Sequence, residues 1–349
     1  MVAKPTAPKP RGGPASRVKG AFKERPEDFV VEEVPAYQPS GEGEHVYLWI
    51  QKTGLSTFDA VASLARALEK RDRDFGFAGL KDAQAVTRQW ISIAGVDEAA
   101  ARALDLEGIE ILDVRRHGNK LKMGHLRGNR FEILLRGVPS EELSSVEANL
   151  ADLERRGVPN YFGEQRFGKR GANLEKGLKI LRGNPRKAAR TMPRRLLNLV
   201  ISAVQSEVFN RVLVRRRDVA HRVEVGDVAF LHRNGACFVV EDAEAEFERA
   251  RSFEISPSGP MPGPKMLIPQ GAVGELEAEV LTELELNYEI FGRMPYGTHD
   301  GARRPLRVPV TEPTAAADEA GVRVSFALPK GSYATTVLRE LLHDAPWFG

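Results

Sequence analysis

The chain has 349 residues, about twice the length of a typical domain, which favours two domains or one large fold. Hydrophobic residues make up 42% and charged residues 28% of the sequence, which argues against a disordered or fibrous protein. The single cysteine, Cys237, excludes an intramolecular disulfide and a zinc site built on two or more thiolates, and the net charge of +3 is too small to indicate a nucleic-acid partner by itself.

Residues 1–20 carry five Lys or Arg and no acid, together with four prolines and three glycines. Such a segment cannot bury enough apolar surface to order itself, so we expect a disordered basic arm. The segment also lacks the apolar stretch of a signal peptide, and no apolar run approaches the roughly 18 residues that cross a bilayer. We therefore expect a cytoplasmic protein with no membrane partner.

The next residues predict two strands and a helix. Residues 29–34 and 45–50 have strand-forming composition, and the turn-forming residues 38–43 between them predict a β-hairpin. Ser56 stands three residues before Asp59, as in a capping box, and apolar residues then recur at helical spacing. An amphipathic helix should therefore cover the sheet, an arrangement typical of the α+β class.

Further along the chain, alternation and periodicity predict additional elements. Strands are expected at 75–80, 90–93, 109–114, 131–135, 228–231, 237–240 and 322–328, and helices over 141–155, 196–217 and 334–342. The last strand and helix cannot fold alone and should complete the first sheet. The chain is thus expected to comprise the arm 1–20, a first domain formed by 21–156 and 305–349, and an inserted domain, 157–304.

Residues 166–195 form the strongest cluster of charge, with eleven Lys or Arg against one acid, Glu175. The preceding glycines have the spacing of a phosphate loop, but Arg170 stands where a Ser or Thr would bind magnesium, so no nucleotide cofactor is predicted. One interpretation of residues 163–170 is a glycine-rich turn on a solvated face of the protein. The other is that Arg166, Lys169 and Arg170 contact RNA phosphates. The surrounding charge favours RNA binding.

A second basic stretch, residues 115–131, mixes cations with glycine, Asn129 and Phe131, which suits phosphate contact together with stacking of an unpaired base. For Phe131 and Phe29, taken individually, packing in the core is the stronger interpretation. The seven histidines, at 45, 117, 125, 221, 232, 299 and 343, show no metal-binding pattern, so no metal site is predicted.

A candidate nucleophile follows the strand predicted at 75–80. Lys81 and Asp82 come directly after Leu80, so a carboxylate lies beside a cation at the end of a strand. Lys81, or another nearby cation, would favour the ionised carboxylate that a nucleophile requires. The alternative is that Asp82 caps the next turn, and the residues alone favour that simpler role.

Six stretches of the chain resemble the TruD family of tRNA pseudouridine synthases. They are Lys23-Glu-Arg-Pro-Glu-Asp-Phe-Val-Val-Glu-Glu, Gly41-Glu-Gly-Glu-His, Ala78-Gly-Leu-Lys-Asp with Ala85-Val-Thr, Gly128-Asn-Arg-Phe, Pro159-Asn-Tyr-Phe-Gly-Glu-Gln-Arg-Phe-Gly and Leu328-Pro-Lys-Gly-Ser-Tyr-Ala-Thr-Thr-Val-Leu-Arg-Glu. The resemblance implies an α+β pseudouridine synthase catalytic domain, with a largely antiparallel sheet and helices, that carries an inserted TRUD-type α/β module.

The resemblance also implies site residues. Asp82 would be the nucleophile, and five further residues would contact the target nucleotide or line its pocket: Lys23, Phe29, Asn129, Phe131 and Tyr333. This sequence has Ala83 and Gln84 where some relatives carry basic or histidine side chains, and Tyr333 where others have Phe. These differences concern contacts with RNA and not the carboxylate.

The implied reaction converts uridine, by resemblance uridine 13 of tRNA, into pseudouridine without a cofactor. The carboxylate either attacks C1′ or removes the C2′ proton, and the sequence does not separate the two routes. A stacked base is out of reach, so the enzyme should flip it out. We expect a monomer whose partner is tRNA. The alternative is a non-catalytic RNA-binding or RNA-chaperone protein that uses the same basic residues.

Overall fold

The computed structural model describes residues 4–7, 9–293 and 300–343. Within these residues the strands are β1 Phe29–Pro35, β2 His45–Thr53, β3 Gly76–Phe77, β4 Val86–Ala94, β5 Ile109–His117, β6 Leu126–Arg136, β7 Val158–Pro159, β8 Val228–Leu231, β9 Cys237–Val239, β10 Ile255–Met261, β11 Ala302–Pro305, β12 Arg307–Val308, β13 Thr311–Asp318 and β14 Gly321–Pro329. The helices are α1 Thr57–Ala67, α2 Glu98–Arg102, α3 Leu143–Arg156, α4 Ala172–Arg182, α5 Pro185–Thr191, α6 Arg194–Arg216, α7 Phe247–Arg251, α8 Gly271–Glu283, α9 Tyr288–Gly292 and α10 Ala334–Leu341. No helix in this part of the chain is long and apolar enough to cross a bilayer.

The chain divides into two compact units. The sheet unit comprises residues 18–150 and 310–331, and the helical unit comprises the described residues within 1–17, 151–309 and 332–349. The sequence predicted somewhat different bounds, with 157–304 inserted between 21–156 and 305–349. Helix α10 was expected to complete the sheet, but its contacts group it with the helical unit.

The sheet unit is built on one sheet with the strand order β13-β14-β6-β1-β4-β2-β5, and β3 pairs with β4. Strands β1 and β4 run parallel, and the other pairs are antiparallel. The predicted α+β class with a largely antiparallel sheet is therefore confirmed.

The predicted hairpin of β1 and β2 is wrong. Strand β4 lies between them, so that β1 pairs with β4 and β6, while β2 pairs with β4 and β5. The physical reason is the length of the connection, because residues 36–44 exceed the roughly two to five residues that join most hairpins. A connection of this length can pass over an intervening strand.

The helix predicted to follow Ser56 is confirmed as α1. The Ser56 side chain accepts a hydrogen bond from the backbone N–H of Asp59, and the Asp59 carboxylate accepts one from the backbone N–H of Ser56. This reciprocal capping box fixes the first turn. The apolar face of α1, with Val61 and Leu64, is buried in one cluster with inward-facing residues of β2 and β4. The helix therefore covers one face of the sheet.

The helical unit has its core around α4, α6, α8 and α9. Gly177 of α4 allows a close approach to α6, since a Cβ at this position would lie 2.3 Å from the Val200 carbonyl oxygen. A four-stranded antiparallel sheet with the order β11-β10-β8-β9 belongs to the same unit. Strand β10 lies in a stretch whose prolines and glycines gave no strand signal in the sequence.

The basic arm differs from the expected disordered segment. Arg11 Nη2 lies 2.6 Å from Asp152 Oδ2, and both side chains are buried. The backbone N–H groups of Arg11 and Gly12 donate to the buried carboxylate of Glu340, and the Thr6 hydroxyl donates to Glu207. The composition of the arm showed that it lacks apolar surface. It could not show that buried carboxylates elsewhere in the helical unit bind it.

Candidate active site

The candidate nucleophile lies on a loop of residues 78–85 between β3 and β4, here called the Asp82 loop. The strand predicted over 75–80 ends at Phe77, and Leu80 is 55% exposed. Beyond Phe77, the carbonyl of Ala78 accepts a hydrogen bond from the backbone N–H of Gly124 at 2.8 Å, outside the ladder of β3 with β4. The chain therefore leaves the sheet after β3, passes through the exposed Leu80, and re-enters the sheet at β4.

The backbone of the Asp82 loop is held by side chains from beneath it. Gln89 Nε2 donates to the carbonyl of Gly79 at 3.2 Å. Thr57 Oγ1 accepts from the Lys81 N–H at 2.8 Å and donates to Gln89 Oε1 at 3.0 Å. Since Thr57 and Gln89 are buried, these bonds are protected from competition with water.

The Asp82 side chain itself is 58% exposed, and its Oδ2 lies 3.1 Å from Lys23 Nζ. The same ammonium group lies 4.9 Å from the centroid of the Phe29 ring. The sequence anticipated a cation beside Asp82, either Lys81 or another. In the structure Lys23 occupies that position, and Lys23 has a positive φ of 62°. The carboxylate is thus accessible to a substrate and oriented by one lysine.

The ammonium group of Lys81 pairs with Glu33, whereas the Asp82 carboxylate pairs with Lys23. Lys81 Nζ lies 2.7 Å from Asn129 Oδ1 and 3.3 Å from Glu33 Oε2, and the pair of charges is almost completely buried. Burial raises the pKa of Glu33 and lowers the pKa of Lys81, while the attraction between the two charges opposes both shifts. A buried charge requires a partner, so each of these residues depends on the other.

The contact with Lys81 fixes the direction of the Asn129 amide. A lysine ammonium group has only donors, so the amide must turn its oxygen toward Lys81 and its NH₂ group away. Among the described residues, Asn129 Nδ2 has no hydrogen-bond partner in the protein. Asn129 pairs with Glu33 across β6 and β1, which places both side chains on the same face of the sheet. The site therefore presents a free amide donor.

Two of the predicted substrate contacts are aromatic rings on the same face. Phe29 and Phe131 are each 6% exposed, and their centroids lie 6.1 Å apart in an edge-to-face arrangement. Phe131 also packs against Phe326 of β14, with centroids 5.5 Å apart. This burial agrees with the core packing that the residues alone favoured. Contact with a base through the remaining exposed edges stays a prediction.

Lys52, which was not among the residues predicted for the site, is fully buried. Its Nζ donates to the backbone carbonyl of Asp82 at 3.1 Å and to that of Leu55. Burial is the main cause that lowers the pKa of Lys52 to about 8. A signal was present, because Leu48 and Ile50 define the inward face of β2 and Lys52 is the next residue on that face.

Four predicted residues belong to the helical unit. Tyr333, at the N-cap of α10, is 42% exposed. Arg166 donates to Ser206 Oγ at 3.1 Å and lies 5.5 Å from the centroid of the Phe162 ring, while Lys169 and Arg170 are exposed. The other six predicted residues belong to the sheet unit, and they are Lys23, Phe29, Lys81, Asp82, Asn129 and Phe131.

Arg166 also lines an open cavity of about 750 Å³ beside α6, together with Arg195, Asn198 and Ser202. Within the described residues, no group of three or more His, Cys, Asp or Glu side chains is arranged to hold a metal ion. Of the histidines considered in the sequence, His299 lies outside the described residues.

Comparisons with known proteins agree with one another. The family model described as tRNA pseudouridine synthase D (TruD) matches residues 14–192 and 185–341. A tRNA pseudouridine synthase D from Geobacter metallireducens is 43% identical over 93% of this chain and 95% of its own length. A tRNA pseudouridine synthase D from Thermus thermophilus is 42% identical over 93% of this chain and 89% of its own length. The crystal structure of a putative tRNA pseudouridine synthase D from Methanosarcina mazei is similar, with a TM-score of 0.82, 25% identity and 97% of both chains covered.

The buried pair of Glu33 and Lys81 generates a prediction about stability. Replacing Glu33 with Gln leaves the Lys81 charge buried without a carboxylate, which should lower the unfolding free energy by about 3 to 5 kcal/mol. Adding Lys81→Met should recover part of that loss. Urea denaturation measures both effects.

The neighbouring residue provides the control. Glu32 points to the opposite face of β1, where it pairs with Arg88 and is partly exposed. Glu32→Gln should lower the unfolding free energy by less than about 1 kcal/mol. Equal effects of Glu33→Gln and Glu32→Gln would show that the buried pair does not stabilise the sheet unit.

The lowered pKa of Lys52 generates a prediction about pH. Above about pH 8 the native state releases a proton that the unfolded state keeps, so the unfolding free energy should rise with pH. Between about pH 7 and about pH 10, the wild type should gain about 1 to 3 kcal/mol relative to Lys52→Met. Denaturation of both proteins across this range measures the difference. Unfolding free energies that change with pH in the same way in both proteins would contradict the lowered pKa of Lys52.

Proposed function

The chain belongs to the TruD family of tRNA pseudouridine synthases, which makes it an RNA-modifying isomerase, and we propose that it converts uridine 13 of tRNA into pseudouridine with Asp82 as the nucleophile. One observation carries the assignment of the nucleophile. Asp82 is an exposed carboxylate whose loop is anchored from below and whose Oδ2 is paired with Lys23. An accessible group in a fixed position is what attack on a bound substrate requires.

The proposed reaction is redox-neutral. The bond between C1′ and N1 breaks, the uracil rotates, and a bond between C1′ and C5 forms. The proton on C5 leaves, and N1 gains one. Asp82 acts either by attacking C1′ to give an ester with the sugar or by removing the C2′ proton to give a glycal. Both routes use the same carboxylate and need no cofactor.

The amide of Asn129 supports recognition of uracil. Because Lys81 holds the amide oxygen, the NH₂ group is the part offered to a ligand. Both exocyclic groups of uracil are carbonyl acceptors, whereas cytosine carries an amino donor in place of one of them. A fixed donor that meets O4 would pair with uracil and be left facing another donor with cytosine.

The location of Asp82 supports base flipping. The carboxylate lies on the surface of a folded sheet unit, so it cannot reach the C1′ of a nucleotide that remains stacked in RNA. The target nucleotide must therefore leave its stack. Phe29 and Phe131 show little exposed surface, so they can offer the base their edges and not a broad stacking platform. Phosphate contacts from Arg166, Lys169 and Arg170 would offset part of the cost.

The first experiment follows the proton on C5. With tRNA tritiated at C5 of uridine, the wild-type protein should release label, and Asp82→Asn should reduce the rate by at least about a thousandfold because the nucleophile is gone. Asp105→Asn is the control, since Asp105 is an exposed aspartate of the same unit.

The outcomes separate the two functions that the sequence left open. Release of label by the Asp82→Asn protein at the wild-type rate would overturn the assignment of the nucleophile. No release by the wild type, together with unchanged tRNA affinity of Asp82→Asn, would support a non-catalytic RNA-binding or chaperone protein.

The second experiment tests the basic residues of the helical unit. If Lys169 and Arg170 contact phosphates, Lys169→Ala with Arg170→Ala should weaken tRNA binding and lower the slope of log Kd against log salt by about 1 to 2. The matched control is Arg222→Ala with Arg251→Ala, two exposed arginines of the same unit outside 166–195. A binding constant that stays flat between about 50 and 200 mM salt would contradict electrostatic binding.

A further inference from the structure

We propose that Lys52 is the positioning residue of the reaction, because its buried amine holds the main chain of Asp82 and thereby fixes the carboxylate. The inference rests on the proposed function, in which Asp82 is the nucleophile. It assigns to Lys52 no contact with RNA. Its effect is exerted through the backbone carbonyl of Asp82.

The contacts of Lys52 do not match those expected of a purely structural lysine. Buried charges in proteins are normally paired with an opposite charge. Lys52 is fully buried, yet both of its hydrogen-bond partners are neutral backbone carbonyls, those of Asp82 and Leu55. Its neighbours on the inward face of β2, Leu48 and Ile50, are apolar. An apolar residue at position 52 would avoid the cost of burying the amine but would leave these two carbonyls without their donor, so the function of the lysine is to bind the two carbonyls.

The position of the Asp82 carboxylate depends on this contact. The side chain is mostly in solvent, so packing cannot hold it, and its orientation depends on the backbone of the loop and on the pairing with Lys23. Side chains from the core hold the backbone on the N-terminal side of Asp82, at Gly79 and Lys81. Lys52 holds the carbonyl of Asp82 itself. Within the described residues, this is the side-chain hydrogen bond that holds the backbone of residues 82–84, before the chain reaches the buried Ala85 and β4.

The connection through Leu55 explains why a long side chain is needed. Leu55 lies in the turn between β2 and α1, and the amine of Lys52 joins its carbonyl to that of Asp82. Thr57, the first residue of α1, holds the N–H of Lys81. The segment 55–57 and the Asp82 loop are therefore connected at two adjacent points. A displacement of about 1 Å at such a nucleophile can reduce the rate about a hundredfold.

Two substitutions separate positioning from structure. Lys52→Met keeps the length and apolar stem but removes the donor, and it should lower kcat by about ten- to a hundredfold, with KM and the Kd for tRNA within about twofold of wild type. Lys52→Gln restores an uncharged donor, and it should recover at least about threefold in kcat over Lys52→Met. Ile50→Met is the control for a changed side chain on the same buried face. It should retain kcat within about twofold of wild type.

The results distinguish this inference from the proposed function. If the wild type forms no pseudouridine, the proposed function fails. If the wild type is active and Lys52→Met retains kcat within about twofold, only the role of Lys52 is overturned. Circular dichroism of each variant confirms that the compared proteins are folded.

Discussion

The site depends on one constraint, which is that an exposed carboxylate has to be held in place through its backbone. A buried catalytic group is fixed by the side chains packed around it, but most of the Asp82 side chain lies in solvent. The sheet unit compensates by placing polar side chains under the loop, where Thr57, Gln89 and Lys52 bind its N–H and carbonyl groups. These side chains come from α1, β4 and β2, so the core of the unit and the position of Asp82 are coupled.

Three lysines around the loop have different environments and therefore different roles. Lys23 is partly exposed and pairs with the carboxylate of Asp82. Lys81 is buried, pairs with Glu33 and orients the amide of Asn129. Lys52 is buried among carbonyls and anchors the main chain. Burial and the available partners determine what each ammonium group does.

Periodic patterns in the sequence predicted the elements well, while contacts between distant residues could not be predicted. The apolar spacing of α1 and its Ser56 cap involve residues close together in the sequence, so the sequence predicted this helix correctly. The pairing of β1 with β4 is non-local, and the sequence suggested a hairpin instead. The same limit applies at the site, because Lys81 was the nearest cation in sequence, whereas Lys23, 59 residues away, contacts Asp82. Lys52 is the exception, because its alternation with Leu48 and Ile50 is a local pattern that already places it on the inward face of β2.

The most direct test is the structure of the Asp82→Asn protein bound to unmodified tRNA. We expect uridine 13 to be flipped out, with its C1′ about 3 to 3.5 Å from the side chain at position 82 and a carbonyl of its base within hydrogen-bonding distance of Asn129 Nδ2. A complex in which uridine 13 remains stacked, or in which its sugar lies against a different carboxylate, would contradict the account.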